Sequence, residues 1–227
     1  MNKSDVCVLI PAYNEEKNIG RVVSEVLSLG FKAVVVDDGS SDNTAQKVKA
    51  IPAECVVSRI NEGKGAAIQR GFEWFLAQTF YQALIIMDAD GQHLAKELDR
   101  FVEALDRDQG DLLVGNRMKD PAGMSWVRVL TNRFMSFLIS SIARQEIPDT
   151  QCGYRALSRK AVTMIRLTTK RFEVESEMLL LAARAGLKIA SVPIQSVYRD
   201  EVSHIRPAQD TVRFFSFLIR FVFSRLR

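Results

Sequence analysis

Asp88-Ala89-Asp90-Gly91-Gln92-His93 closes an apolar run, Ala83-Leu84-Ile85-Ile86-Met87. A short apolar run followed by a turn-forming glycine reads as a buried strand. The carboxyl end of such a strand in an open α/β sheet is where ligands bind. Asp88 and Asp90 would point to opposite faces if the strand continued, so a turn is needed to bring both to one ion, and Gly91 permits it. Two carboxylates and the amide oxygen of Gln92 are hard ligands that suit magnesium or manganese. A solvated turn is the plain alternative, and the hexapeptide alone accommodates both. His93 reads as part of the turn rather than as a catalytic group.

Three further loops follow apolar runs or open helices. Pro11-Ala12-Tyr13-Asn14-Glu15 offers an aromatic face for a base or sugar and a carboxylate for polar contact; it is equally an ordinary strand-to-helix turn with Asn14 as cap. Asp37-Asp38-Gly39-Ser40 puts carboxylates where a dinucleotide fold bonds ribose hydroxyls, or is a capped turn. In Asn61-Glu62-Gly63-Lys64-Gly65-Ala66-Ala67, glycines flank a lysine at a helix start, which suits close approach of phosphate. The spacing is not that of a Walker loop, and no Gly-x-Gly-x-x-Gly occurs, which argues against a dinucleotide dehydrogenase.

The elements that must position these loops alternate. Apolar strand-like runs at 6–10, 33–36, 55–57, 83–87 and 112–114 are separated by helical patterns at 15–29, 44–50, 63–80 and 94–106. That order implies an α/β fold with a parallel or mostly parallel sheet flanked by helices. Beyond it, 126–143, 158–167 and 175–185 read as helices and 189–197 as a strand that Pro193 confines to an edge or bulge. The organisation expected is one domain, 1–207, followed by an amphipathic helix, 208–227. The 227 residues carry 31 basic and 27 acidic side chains, a formal charge of +4, too mild an excess for a nucleic-acid partner. Cys7, Cys55 and Cys152 lack metal or redox spacing and fit a reducing interior, with Cys152 expected to be accessible in a polar loop. The first residues lack the charged and apolar regions of a signal peptide, and no apolar stretch reaches the ~20 residues of a bilayer span.

Pro11-Ala12-Tyr13-Asn14-Glu15, Asp37-Asp38-Gly39-Ser40 and Asp88-Ala89-Asp90, in that order, resemble the family 2 glycosyltransferases with the GT-A nucleotide-sugar-binding fold. Asn61-Glu62-Gly63-Lys64-Gly65, Gly115-Asn116-Arg117, Cys152-Gly153-Tyr154-Arg155-Ala156, Phe172-Glu173-Val174-Glu175 and Tyr198-Arg199 look like the signatures of the dolichyl-phosphate and polyprenyl-phosphate mannosyltransferase subgroup. The Gln-x-x-Arg-Trp motif of many polysaccharide synthases is absent. The resemblance implies a donor site of Pro11, Tyr13, Glu15, Asp37, Asp38, Lys64, Asp88 and Ala89. It implies a Mg2+ or Mn2+ site of Asp88, Asp90 and Gln92, and acceptor-phosphate contacts from Arg117, Arg128, Asn132 and Arg199, with Asp90, Arg117 and Arg199 at the reaction centre. Asn132 stands where the family more often has a small hydroxyl residue.

The activity so implied is inverting transfer of mannose from GDP-mannose to a polyprenyl phosphate. A lipid phosphate, with a second pKa near 6, needs positioning more than deprotonation. A sugar hydroxyl would instead need a base, for which Glu173, Glu175 and Asp149 are available. Glucose or N-acetylglucosamine from a UDP-sugar, a nucleotidyltransferase and a non-catalytic membrane module are the alternatives; a nucleotidyltransferase would be expected to carry a glycine-rich triphosphate loop, which 6–14 lacks. Two stretches suit a membrane surface: 126–144, mixing apolar residues with Arg128, Arg133 and Arg144, and 213–227, aromatic and basic with no acidic residue. The latter is also compatible with core packing or dimerisation. The expected setting is peripheral, at the cytoplasmic face of a membrane, with oligomeric state open.

Overall fold

The computed structural model describes residues 1–121, 123–195 and 207–223, with side chains of the final stretch from residue 213. Seven strands, β1 (Val6–Ala12), β2 (Lys32–Asp37), β3 (Glu54–Val57), β4 (Ala83–Ile86), β5 (Leu112–Asn116), β6 (Arg155–Ser158) and β7 (Ile189–Pro193), form one sheet in the order β3-β2-β1-β4-β6-β5-β7. Its flanking helices are α1 (Ile19–Ser28), α2 (Thr44–Lys49), α3 (Lys64–Ala77), α4 (Leu98–Asp106), α5 (Trp126–Ala143), α6 (Arg159–Met164), α7 (Val174–Arg184) and α8 (Pro207–Phe223).

Strand β1 is buried along its whole length, as its unbroken apolar run requires, and pairs in parallel with β2 and β4. The helix α1 covers the sheet with Ile19, Val22, Val23 and Val26, the i, i+3, i+4, i+7 spacing of one helical face. Each such side chain withdrawn from water contributes about 1.5–3 kcal/mol. The helix α3 comes down on β1 at Gly71, where an added Cβ would lie 2.4 Å from the Leu9 side chain. The Leu9 side chain fills the space that a side chain at 71 would need.

Strand directions decide where the loops go. β1, β2, β3 and β4 are parallel, so Tyr13, Asp38, Ser58 and Met87 leave the sheet at one edge. β6 runs antiparallel to β4 and β5, with Ile86 and Val114 both opposite Arg155. The start of β6 and the end of β5 therefore share that edge, and Gly153 and Arg117 join the loops that follow β1, β2 and β4 there.

Three expectations are corrected. The antiparallel strand β6 was not visible in Arg155-Ala156-Leu157-Ser158, which is too short to show a period. The first helix begins at Ile19 rather than Glu15, because Asn14 is left-handed (φ 55°) and the Glu15 and Glu16 amides donate to Thr44 Oγ1 and Asp42 Oδ2 instead of entering a helix. Cys152 is fully buried beside Gly115, not accessible, and burial raises its thiol pKa to about 12. Pro193 does lie on an edge strand, β7.

Candidate active site

The loops after β1 and β2 are tied into one surface. Asn14 donates its amide to Ser40 Oγ (2.8 Å) and accepts from the Ser41 amide on Oδ1 (2.8 Å). Glu16 accepts from Asn43 Nδ2 (3.0 Å), and its carbonyl accepts from Lys47 Nζ (2.6 Å). A left-handed asparagine with its own side chain bonded is an economical way to turn the chain there. Pro11 is buried in β1 opposite Val36, Tyr13 is 36 % exposed, and half-buried Glu15 accepts from Asn18 Nδ2 (3.0 Å).

The two aspartates of the second loop point into the protein. Asp37 is 1 % exposed and accepts from the Ser40 amide and hydroxyl. Asp38, 2 % exposed, accepts the amides of Glu62 (3.1 Å) and Gly63 (2.6 Å) and a 3.2 Å bond from Arg70 Nη1. Burial outweighs these donors and raises its pKa. Its carboxylate thus anchors the Glu62–Gly63 backbone; the sequence reading gave it to the nucleoside. Gly63 (φ 106°) and Gly65 pack beneath the 169–170 backbone, where a Cβ would lie 2.5 Å from the Lys170 carbonyl and 2.3 Å from that of Thr169. That backbone is held in turn by buried Glu177, which accepts from the amides and hydroxyls of Thr168 and Thr169. Glu177 escaped the sequence reading; its signal is an acid among the apolar positions of α7.

Lys64, at the start of α3, brings these loops to the acidic cluster. Its Nζ lies 2.6 Å from Asp88 Oδ1 and 2.8 Å from Glu175 Oε1, with little exposure for any of the three. Burial alone would lower the Lys64 pKa, but the two carboxylates reverse this and hold it above the usual range. Burial likewise opposes Asp88 ionisation, and the Lys64 charge, aided by Arg117, holds Asp88 well below the usual carboxylate range. A Cβ at 153 would sit 2.5 Å from Asp88 Oδ2 and 2.8 Å from Lys64 Nζ, so any larger residue there must displace the pair. Glu175 is thus engaged with a cation, while half-buried Glu173 precedes α7.

Gly91 (φ 79°) makes the turn expected of it, and Asp90 Oδ1 accepts the Gln92 amide at 2.9 Å. Asp90 and Gln92 are half-buried, and Ala89 is buried. His93, 5 % exposed and stacked on Tyr154 at 4.7 Å, accepts the Asp88 amide on Nδ1 (3.2 Å). Burial drives its pKa down to about 4. The approach of Nδ1 to Asp88 Oδ2 at 3.9 Å is therefore not an ion pair: the ring is neutral and its lone pair is spent on an amide. His93 braces the turn. Among the described residues no three His, Cys, Asp or Glu side chains gather as a protein-only metal cage. Asp88 and Asp90 supply two hard carboxylates, the donor set of an ion that keeps waters and takes further ligands from substrate phosphates, so the residues fit magnesium or manganese.

Around Arg117, the organising residue is Asp149. Fully buried, it accepts Arg117 Nε (2.7 Å), Nη2 (2.9 Å) and amide N (3.0 Å), and Asn132 Nδ2 (2.7 Å). Burial pushes its pKa up, but these donors outweigh it and the net shift is downward. A carboxylate so engaged is no general base. Asn132, expected at the acceptor phosphate, is 5 % exposed, and its Oδ1 accepts the Ser136 hydroxyl (3.0 Å). Both ends of its amide serve the fold. Arg117 is mostly buried and held by two bonds to one carboxylate, whereas Arg128 is exposed on α5. Arg199, with Tyr198, His204 and Arg206, lies outside the described residues. Arg155, buried beneath the site, donates to the carbonyls of Thr150, Cys152 and Glu175 and fixes the approach to Gly153.

With this geometry in view, residues 7–165 match the family model described as glycosyl transferase family 2. A polyprenol monophosphomannose synthase of Mycolicibacterium smegmatis is 32 % identical over 85 % of this chain and 77 % of its own. A UDP-N-acetylglucosamine--dolichyl-phosphate N-acetylglucosaminyltransferase of Methanococcus voltae is 29 % identical over 86 % of each. Among solved structures, glucosyl-3-phosphoglycerate synthase of Mycobacterium tuberculosis, in complex with Mn2+, UDP and phosphoglyceric acid, superposes with a TM-score of 0.72 at 22 % identity, covering 97 % of this chain and 78 % of that one. That likeness is one of fold.

Proposed function

The chain belongs to glycosyl transferase family 2, and within it we propose that the protein transfers mannose from GDP-mannose to a polyprenyl phosphate, inverting the anomeric carbon. The observation that carries this reading is the junction of Lys64, Asp88 and Glu175 under Gly153, at the sheet edge that also receives Arg117. It gives a cation for a diphosphate, carboxylates for a divalent ion, and a separate arginine-bearing side for a second phosphate. The mannose synthase relative favours mannose, and the N-acetylglucosaminyltransferase relative makes a UDP-sugar the second reading.

In this reading Tyr13 and Glu15 border the nucleoside, with Pro11, Asp37 and Asp38 shaping the floor beneath it. Lys64 binds the diphosphate while Glu175 keeps it oriented. Mg2+ or Mn2+, held by Asp88 and Asp90 with Gln92 beside them, would neutralise charge growing on the departing nucleoside diphosphate. Arg117, Arg128 and Arg199 hold the acceptor phosphate. One of its oxygens forms the bond to the sugar carbon as the bond to the diphosphate breaks. The attacking phosphate is largely dianionic at neutral pH, so no protein base need accept a proton. The setting we assign is the cytoplasmic face of a membrane, with the protein peripheral. Its basic, aromatic helices support this, and among the described residues no helix is long and apolar enough to cross a bilayer.

The test is transfer of label from GDP-mannose to a short polyprenyl phosphate with magnesium or manganese, against a chelator control, with UDP-glucose and UDP-N-acetylglucosamine in parallel. Metal-dependent labelled lipid from GDP-mannose alone is expected. Product only from a UDP-sugar would keep the reaction class and overturn mannose; no lipid product from any donor would overturn the acceptor.

A further inference from the structure

Helix α5 is built inside out. Its inward positions, Asn132, Ser136, Ile139 and Ala143, follow i, i+4, i+7, i+11, and two of the four are polar, committed to Asp149 and Thr150. Its outward positions repeat with nearly the same spacing but are large and apolar: Trp126 is 76 % exposed, Leu130 62 %, Phe134 53 % and Phe137 68 %. In water a helix gains by turning such a stripe toward the core, but here the core-facing side is occupied by the polar network that holds Arg117. A contiguous exposed stripe of this size marks a surface that meets another apolar phase.

We propose that the Trp126–Leu130–Phe134–Phe137 stripe is the surface by which this protein docks on an anionic lipid bilayer. Charge chooses the occupant. From Trp126 to Arg144 there are three arginines and no acidic residue, and Arg128, Arg133 and Arg144 are all exposed. Arg133 and Arg144, which flank the row of indole, leucyl and phenyl groups, match lipid phosphates over an acyl interior, and Arg128 adds charge at the start of the helix. The C-terminal helix, to which composition pointed equally, is partly spent: Phe214 and Leu218 are buried and Phe221 lies under Arg184 at 4.0 Å, leaving Phe215, Ile219 and Phe223 outward. The choice of lipid as partner rests on the lipid-phosphate reading above. The same helix then carries the docking stripe on one face and the residues that orient Arg117 on the other.

Vesicle flotation without nucleotide sugar or polyprenyl phosphate tests docking apart from turnover. Wild type should float with vesicles containing phosphatidylglycerol and partition about tenfold or more weakly into pure phosphatidylcholine. The quadruple variant Trp126→Ser, Leu130→Ser, Phe134→Ser, Phe137→Ser should lose about a hundredfold in partitioning, well under the roughly ten-thousandfold that four fully buried side chains at about tenfold each would give. Its side chains being exposed, it should keep the native far-ultraviolet circular dichroism and a cooperative thermal melt. In a Trp74→Phe background, where Trp126 is the one remaining tryptophan, its emission should shift to the blue on vesicles and be quenched by brominated lipid. No flotation of wild type, equal flotation of the variant, or a Trp126 emission unmoved by bound vesicles overturns the proposal. So does a concentration-dependent dimer in sedimentation velocity that the variant abolishes without any vesicle binding, which would make the stripe a contact between copies. Flotation together with no sugar transfer would leave docking standing and remove the proposed reaction alone.

Discussion

Replacing Asp149 by asparagine removes one charge and almost no volume from the acceptor side. Oδ1 accepts from Arg117 Nη2 and Asn132 Nδ2; Oδ2 accepts from the Arg117 amide and Nε. An asparagine amide must set its NH2 against one of these pairs of donors in either orientation. Asp149 is fully buried and the Arg117 side chain 16 % exposed, so the cation left behind is poorly solvated. Removing one partner of a buried pair costs about 3–5 kcal/mol. For a domain of this size that is a fall in Tm of about 6–20 °C. The pH dependence has a definite sign. The folded pKa of Asp149 is depressed, so its contribution is fully present above the unfolded value near 4 and is lost as pH falls through the folded value. The gap between wild type and Asp149→Asn should be largest near neutrality and should close in acid. Urea melts at pH 7 and below pH 4 measure it, and acceptor KM should rise in the same variant as Arg117 loses its orientation. A neutral-pH gap under about 0.5 kcal/mol, or one that stays constant into acid, would refute the role given to Asp149.

Gly153→Ala drives a methyl into the Asp88 carboxylate and the Lys64 ammonium; transfer should fall about a hundredfold or more, the scale of a 1 Å displacement at a reaction centre, with circular dichroism unchanged, and wild-type turnover would contradict the geometry. Arg128→Gln should raise acceptor KM by about fivefold, a discounted charge-assisted contact from an exposed arginine, whereas Asn132→Ala should show its main effect as lost stability; the opposite pattern in paired kinetics and melts would return Asn132 to the phosphate. Thiol titration of native protein at neutral pH should detect Cys55 and neither Cys7 nor Cys152, whose buried thiols are both raised to about 12, while all three react in denaturant; rapid modification of Cys152 would refute its burial.

The convergence of the loops proposed to hold the donor was legible because they obey one local rule. Each follows an apolar strand, the strands are parallel, and parallel strands deliver their ends to one edge; that Tyr13, Asp38, Lys64 and Asp88 share that edge could be read from sequence alone. Their individual duties were less legible. Asp38 is chemically suited to a ribose, but whether its carboxylate faces a ligand or the Gly63 amide depends on how closely the 61–63 loop approaches, which Gly39 decides: a Cβ there would be 2.6 Å from the Ile60 backbone. No periodicity encodes that approach.

The acceptor side was hidden for a different reason. It depends on a reversal of strand direction at β6, which four residues are too few to announce, and on a buried aspartate whose partners come from the end of β5 and the middle of α5. The helix pattern was itself misleading, since α5 buries amide and hydroxyl and exposes indole and phenyl. Asn132 and Asp149 explain each other. Where a short hydroxyl side chain would leave Asp149 Oδ1 to Arg117 alone, the longer amide reaches the carboxylate and closes the network, at the cost of its own access to a ligand. Arg117 then presents a charge already balanced by Asp149, so a phosphate dianion arriving there gains direction more than net attraction. The unbalanced positive charge on this side must come from residues such as Arg128, exposed one turn before Asn132 on the same face of α5. Attraction for an anionic headgroup and alignment of its phosphate are thereby divided between an exposed arginine and a buried one held by a carboxylate.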